Sequence, residues 1–193
     1  MGGSFNPAHA GHLAISHEAL RRLDLDQVWW LVSPANPLKD PSTLAPVEIR
    51  LTRARRLVGR DRRIRVLAIE GSLGLRYTAD TVELLADRMR GTRFVWLMGA
   101  DNLAQFTRWR RFADIARTVA LAILDRPHYS ISGLNAKFAA RFRHGRLKTG
   151  ALKALATAPT PAWAFLVIPL HAESATAIRR ECGGRWWAGR LMP

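Results

Sequence analysis

Apolar runs of strand length recur along this chain, with helically spaced stretches between them. Residues 27–33 (QVWWLVS), 64–70 (IRVLAIE), 93–99 (RFVWLMG), 119–125 (VALAILD) and 163–169 (WAFLVIP) are continuous rather than alternating, the pattern of parallel strands covered on both faces. Between them, residues 12–23, 45–59, 78–90 and a broken stretch over 102–116 carry apolar side chains at helical spacing, and 174–181 predicts a short last helix. Strand and helix therefore alternate, which predicts an α/β fold with a doubly wound parallel sheet and ligands at the carboxyl ends of its strands. Functional residues should sit in the loops that follow strands. No internal repeat is visible, and residues 148–161, rich in Ala, Thr and Pro, predict a surface linker or flexible insertion. A chain of 193 residues fits a single domain, 1–193, with room for a substantial core.

Composition narrows the setting. Cys182 is the only cysteine, so no internal disulfide can form, and no stretch approaches the roughly 18 to 20 unbroken apolar residues that span a bilayer. The opening Met1-Gly2-Gly3-Ser4 has neither the basic segment nor the apolar run of a signal peptide, so the expected location is cytoplasmic, away from membranes. Thirty Lys and Arg against fifteen Asp and Glu leave a net charge of +15, which suits binding to phosphate backbones. The charge is scattered, however, as at Arg50, Arg53, Arg55 and Arg56, and neither a glycine-arginine repeat nor an RNA-binding aromatic motif accompanies it. Most of these residues read as solvated surface charge, some of them facing a polyphosphate substrate, and nucleic acid is not an expected partner.

The densest chemistry lies at the start, in Gly2-Gly3-Ser4-Phe5-Asn6-Pro7-Ala8-His9-Ala10-Gly11-His12, directly before the first predicted helix. Glycines let a backbone approach a phosphate closely, and a helix amino terminus offers unpaired N–H groups and partial positive charge. His9 and His12 are three residues apart, so a helix starting near His9 puts both imidazoles on one face, where they can grip the same triphosphate. An isolated pair of histidines near a helix start reads first as capping or incidental exposure, and a zinc site would need a third ligand that no familiar spacing supplies. The glycine-rich approach favours phosphate, and no metal site is expected.

Here the chain resembles the nucleotidyltransferase superfamily marked by an HxGH motif, in which the histidines bind ATP phosphates and stabilise the transition state. The resemblance implies His9, His12 and Arg179 as catalytic residues and direct attack by a substrate phosphate on the α-phosphorus. Glu173-Ser174-Ala175-Thr176-Ala177-Ile178-Arg179 is similar to the superfamily's ISSTxIR motif, departing from it at Glu173 and Ala175. Ser174 and Thr176 are hydroxyl donors at a predicted helix start and Arg179 can clamp phosphate oxygens, although such a segment also reads as an ordinary helix cap.

The middle of the chain resembles nicotinate mononucleotide adenylyltransferases of the bacterial type. Tyr77-Thr78-Ala79-Asp80-Thr81 is similar to that family's YTxDT segment, Gly99-Ala100-Asp101-Asn102-Leu103 to its GADNL segment, and Asn36-Pro37-Leu38-Lys39 to its NPHK loop, with Leu38 in place of His. Trp109 matches the tryptophan that stacks on the pyridine ring, and Asp125-Arg126-Pro127 the xRP loop. A single Trp among seven is more often core, but the flanking Arg108 and Arg110 place it off the core. The resemblance implies Gly3, Ser4, Phe5, Asn6, Lys39, Gly99, Asp101, Ser174 and Thr176 for ATP, and Thr78, Trp109 and Arg126 for the mononucleotide. Its implied partners are ATP, carried with Mg²⁺, and nicotinic acid mononucleotide, with homo-oligomerisation left open. Two other readings are weaker: a phosphopantetheine adenylyltransferase-like enzyme, against which the YTxDT and GADNL segments speak, and a basic nucleotide- or RNA-binding protein with a decayed site.

In that family the glycine loop follows a buried first strand, and no apolar run precedes it here. The usual first strand is therefore expected to be missing from this chain, with the true amino terminus upstream of Met1.

Overall fold

A computed structural model describes residues 1–34, 44–125, 136–169, 171, 173–182 and 186–187. It divides into two compact units, the first made of Met1–His17, Asp26–Gly74 and His171–Pro193, the second of Glu18–Leu25 and Leu75–Leu170.

The first unit is built on a three-stranded parallel sheet in the order β1-β2-β3, from β1 (Gly2–Gly3), β2 (Val28–Val32) and β3 (Ile64–Leu67). Val28 pairs with Ile64 and Leu31 with Leu67, while Gly2 and Gly3 pair with Leu31 and Val32. What stands before the phosphate loop is thus a two-residue strand rather than an apolar run, extended by Met1, whose carbonyl accepts from the Leu31 N–H at 2.9 Å. Trp30, Leu31 and Val32 are buried, which is why this run shows no alternation. Helix α1 (Ala10–Arg22) begins in this unit and α2 (Val47–Val58) joins β2 to β3.

The 64–70 run is cut short as a strand. Ile69 and Glu70 turn into a one-turn helix, α3 (Ile69–Ser72), and the backbone reaches a left-handed Gly74 at φ 65°. Gly71 and Ser72 bring little or no side chain to pack on a sheet, so the pairing ends at Leu67.

The second unit carries a parallel sheet in the order β4-β5-β6, from β4 (Val95–Gly99), β5 (Ala120–Leu124) and β6 (Trp163–Leu166). Every residue of the central β5 is buried. Around it lie α4 (Thr78–Arg88), α5 (Ala100–Phe106), α6 (Phe112–Thr118) and α7 (Ala136–Arg141), and the short α8 (Ala175–Glu181) returns to the first unit. The broken periodicity over 102–116 resolves into α5 and α6, separated by a turn that ends at Arg111 with φ 54°. An unanticipated aromatic cluster anchors α7: Phe138 packs edge-on against Phe106 and Trp163, each at 5.4 Å between ring centres.

Residues 148–161 are not a linker. Thr149–Thr157 winds as 3-10 turns, in which positions three apart align, so Leu152 and Leu155 project together into the core, the latter fully buried. The Ala- and Thr-rich composition masked two well-placed leucines.

Candidate active site

The phosphate loop of the first unit is held in shape by groups that the motif does not name. Phe5 takes a left-handed φ of 45° and stacks on Trp30 with ring centres 5.1 Å apart. Asn6 is buried and acts as a hub: its Oδ1 accepts from the Ala45 N–H at 3.1 Å and from Trp186 Nε1 at 3.0 Å, and its carbonyl accepts from Arg179 Nη1 at 2.7 Å. Asn6 thus ties the loop to the approach to α2 and to α8.

Helix α1 starts at Ala10, immediately after the buried His9. The imidazoles of His9 and His12 lie 3.9 Å apart between centres, tilted by 53°. The His9 backbone N–H donates to His12 Nδ1 at 3.2 Å, so the neutral His12 ring carries its proton on Nε2, the donor that a phosphate oxygen would use. Gly11 is required by packing: a Cβ there would meet His9 Cε1 and Nδ1 at 2.9 Å and the Glu173 carbonyl oxygen at 3.4 Å. The Ala10 N–H donates to Glu173 Oε2 at 2.8 Å, so the departure from the ISSTxIR pattern places a carboxylate on the amino terminus of α1.

On α8, Ser174 is the N-cap, its Oγ accepting from the Ala177 N–H at 3.1 Å. Arg179 reaches both Asn6 and, at 3.1 Å, the exposed Thr176 Oγ1. The fold therefore gathers Gly3, Ser4, Phe5, Asn6, His9, His12, Ser174, Thr176 and Arg179 in the first unit. Lys39 and Arg126 lie outside the described residues.

Sequence reasoning missed Arg50. It is 1% exposed, and its guanidinium donates to the carbonyls of Ala45 (2.7 Å), Ser4 (2.7 Å), Ser33 (2.7 Å) and Pro34 (3.0 Å). Burial lowers its pKa from the ordinary arginine value, with Glu48 opposing the shift. A signal was available: Arg50 and Ala54 are four apart and both buried, so Arg50 sits on the apolar stripe of α2.

In the second unit, Thr78 opens α4 and is half-buried, and the Asp80 and Thr81 N–H groups after it donate to the Tyr77 carbonyl at 3.0 and 3.2 Å. Gly99 closes β4 and is the N-cap of α5, with the half-buried Asp101 in its first turn. Trp109 is half-buried in the turn before α6, edge-on to Phe106 at 5.4 Å, so it borders the aromatic cluster. Arg111, two residues on, reaches Glu83, Asp114 and Asp80, and Glu83, then Asp114, raises its pKa above the ordinary value. Among the described residues no three His, Cys, Asp or Glu side chains gather as a metal site, and no helix is long and apolar enough to cross a membrane.

Parallel α/β sheets with a histidine pair at a helix start define a nucleotidyltransferase, and the family described as Cytidylyltransferase-like matches residues 1–181. A Methylorubrum extorquens protein named "Probable nicotinate-nucleotide adenylyltransferase" is 53% identical over 92% of this chain and 96% of its own length. Proteins of the same name from Cereibacter sphaeroides and Brucella abortus are 52% and 46% identical, covering 96% and 93% of this chain and 97% and 92% of theirs. The chain belongs to the nicotinate-nucleotide adenylyltransferase family. Its fold is similar to that of the Plasmodium falciparum nicotinic acid mononucleotide adenylyltransferase, solved complexed with APC (TM-score 0.66) and with NaAD (TM-score 0.68). Each comparison is at 15% identity and covers 93% of this chain and 80% of that one.

Proposed function

We propose that this protein transfers the AMP moiety of ATP to nicotinic acid mononucleotide, giving nicotinic acid adenine dinucleotide and pyrophosphate in NAD biosynthesis. The observation that carries the reading is the His9–His12 pair at the start of α1, in a chain about half identical to relatives of that name over nine-tenths of its length.

An oxygen of the mononucleotide phosphate attacks the α-phosphorus in line. The bond from that phosphorus to the bridging oxygen breaks, and its electron pair leaves with pyrophosphate. The attacking phosphate is already ionised at neutral pH, so no strong base is needed; rate comes from positioning and from stabilising charge on the phosphoryl oxygens. His9, His12 and Arg179 take that role, with Gly3 to Asn6, Ser174 and Thr176 lining the triphosphate and Lys39 adding charge. Gly99 and Asp101 serve the adenosine. Thr78 and Trp109 hold the pyridine and its carboxylate, and Arg126 is assigned to the same mononucleotide. Mg²⁺ enters with ATP as part of the substrate. The chain works as one 1–193 domain in the cytoplasm.

The test is pyrophosphate release from ATP that depends on nicotinic acid mononucleotide, compared with the amide mononucleotide. His12→Ala is expected to lower kcat by roughly 10²- to 10³-fold while the variant melts as the parent does. Near-normal turnover in that variant, or no turnover of the acid mononucleotide by the parent, overturns the reading.

A further inference from the structure

Two consecutive arginines of the second unit, both exposed, have specific partners. Arg110 lies over the ring of Tyr77, its guanidinium carbon 4.7 Å from the ring centre. Arg111 donates from Nη1 to Glu83 Oε2 at 3.0 Å and from Nε to Asp114 Oδ2 at 3.0 Å, and its Nη1 lies 3.6 Å from Asp80 Oδ1. Tyr77 is the N-cap of α4, and Asp80 and Glu83 lie in its first two turns. The arginines themselves close the turn that holds Trp109 between α5 and α6.

We infer that Arg110 and Arg111 are positioning residues for the mononucleotide subsite, pinning the Trp109 turn to the amino terminus of α4, where Thr78 sits. The inference rests on the reading that Thr78 and Trp109 hold the pyridine. Flat stacking needs the indole at a fixed height and angle, while recognition of the carboxylate by helix N–H groups needs the α4 terminus at a fixed distance from it. Both elements belong to the same unit, yet Trp109 rests on Phe106 by a ring edge, and the links from its turn to α4 and its N-cap run through the two residues that follow it, Arg110 and Arg111.

The backbone shows the cost. Arg111 is held at φ 54° and ψ 35°, a left-handed conformation uncommon outside glycine. An arginine there gains from its side-chain contacts what glycine would gain from freedom. Three carboxylates meet that guanidinium, one from α6 and two from α4, so it bridges the turn's end to the substrate-side helix. Exposed ion pairs are individually weak, but a network that shares one fork adds orientation as well as energy.

The test separates the side chain from the backbone. Arg111→Gly keeps the left-handed turn and removes the clamp; it is expected to raise KM for nicotinic acid mononucleotide about tenfold, leaving kcat and the KM for ATP within about twofold of the parent. Arg111→Lys, which keeps the charge but loses the fork, should fall between them. The pair Glu83→Gln and Asp114→Asn should reproduce the Arg111→Gly result. Trp109→Ala is run alongside. If it raises the mononucleotide KM and Arg111→Gly does not, the clamp is refuted and the subsite reading stands. If Trp109→Ala leaves that KM unchanged, the subsite reading fails and the inference fails with it. Equal losses for both substrates that follow a falling Tm would assign Arg111 to general stability and overturn the proposal.

Discussion

Replacing Arg50 by Met should destabilise the first unit far more than its position on an outer helix suggests. The guanidinium serves four backbone carbonyls: Ser4 in the phosphate loop, Ser33 and Pro34 after β2, and Ala45 at the approach to α2. A hydrogen bond from a charged donor contributes about 1.5 to 3 kcal/mol, and each buried carbonyl left without a partner costs about 1 to 3 kcal/mol. Offsetting this, Met fills part of the volume and removes the desolvation of a buried cation, the effect that lowers the Arg50 pKa. The net loss should be about 3 to 4 kcal/mol, which for a chain of this size corresponds to a drop in Tm of roughly 10 °C. Thermal unfolding followed by circular dichroism gives the number. Turnover per folded molecule, measured well below the transition, should fall as well, because Ser4 is freed from its restraint. Arg50→Lys can reach some of the acceptors without the planar fork and should lie between parent and Met. A Met variant within about 1 kcal/mol of the parent would refute the claim that this side chain holds the loop.

Other consequences can be measured as directly. Gly11→Ala adds a methyl 2.9 Å from the His9 ring, so the ring must shift; kcat should fall about tenfold while helix propensity leaves Tm unchanged or slightly raised, and unaltered turnover would remove the packing argument. Leu155→Ala should cost about 2 to 5 kcal/mol in chemical denaturation, whereas a value near zero would return residues 148–161 to the status of a linker. The Asp61 carboxyl is held below its ordinary pKa by the Arg63 N–H first and by His17 next. A depressed acid stabilises the fold above its unfolded pKa near 4, and that contribution disappears as pH falls through the lower folded value. Asp61→Asn should therefore be less stable than the parent at pH 6 and converge on it in strong acid, as pH-dependent denaturation would show.

What the sequence determined by itself was whatever depends on local order. Apolar runs disclosed β2 to β6, each within the stretch read for it, because burial on both faces leaves little alternation in β2, β4, β5 and β6, while β3 alternates with Arg65 exposed. The histidine pair was legible because three-residue spacing on a helix start fixes a common face, as the 3.9 Å between the rings shows. What only the tertiary structure decided depends on groups far apart in the chain. Asn6 meets Trp186 and Arg179 across more than 170 positions, and no periodicity encodes that meeting. Arg50 looked like one more surface cation until three loops turned their carbonyls toward it. Arg110 and Arg111 became distinguishable from the other cations only when α4 placed Tyr77, Asp80 and Glu83 beside them. A charge is a local property, but whether it is solvated or engaged depends on which distant segment the fold folds against it.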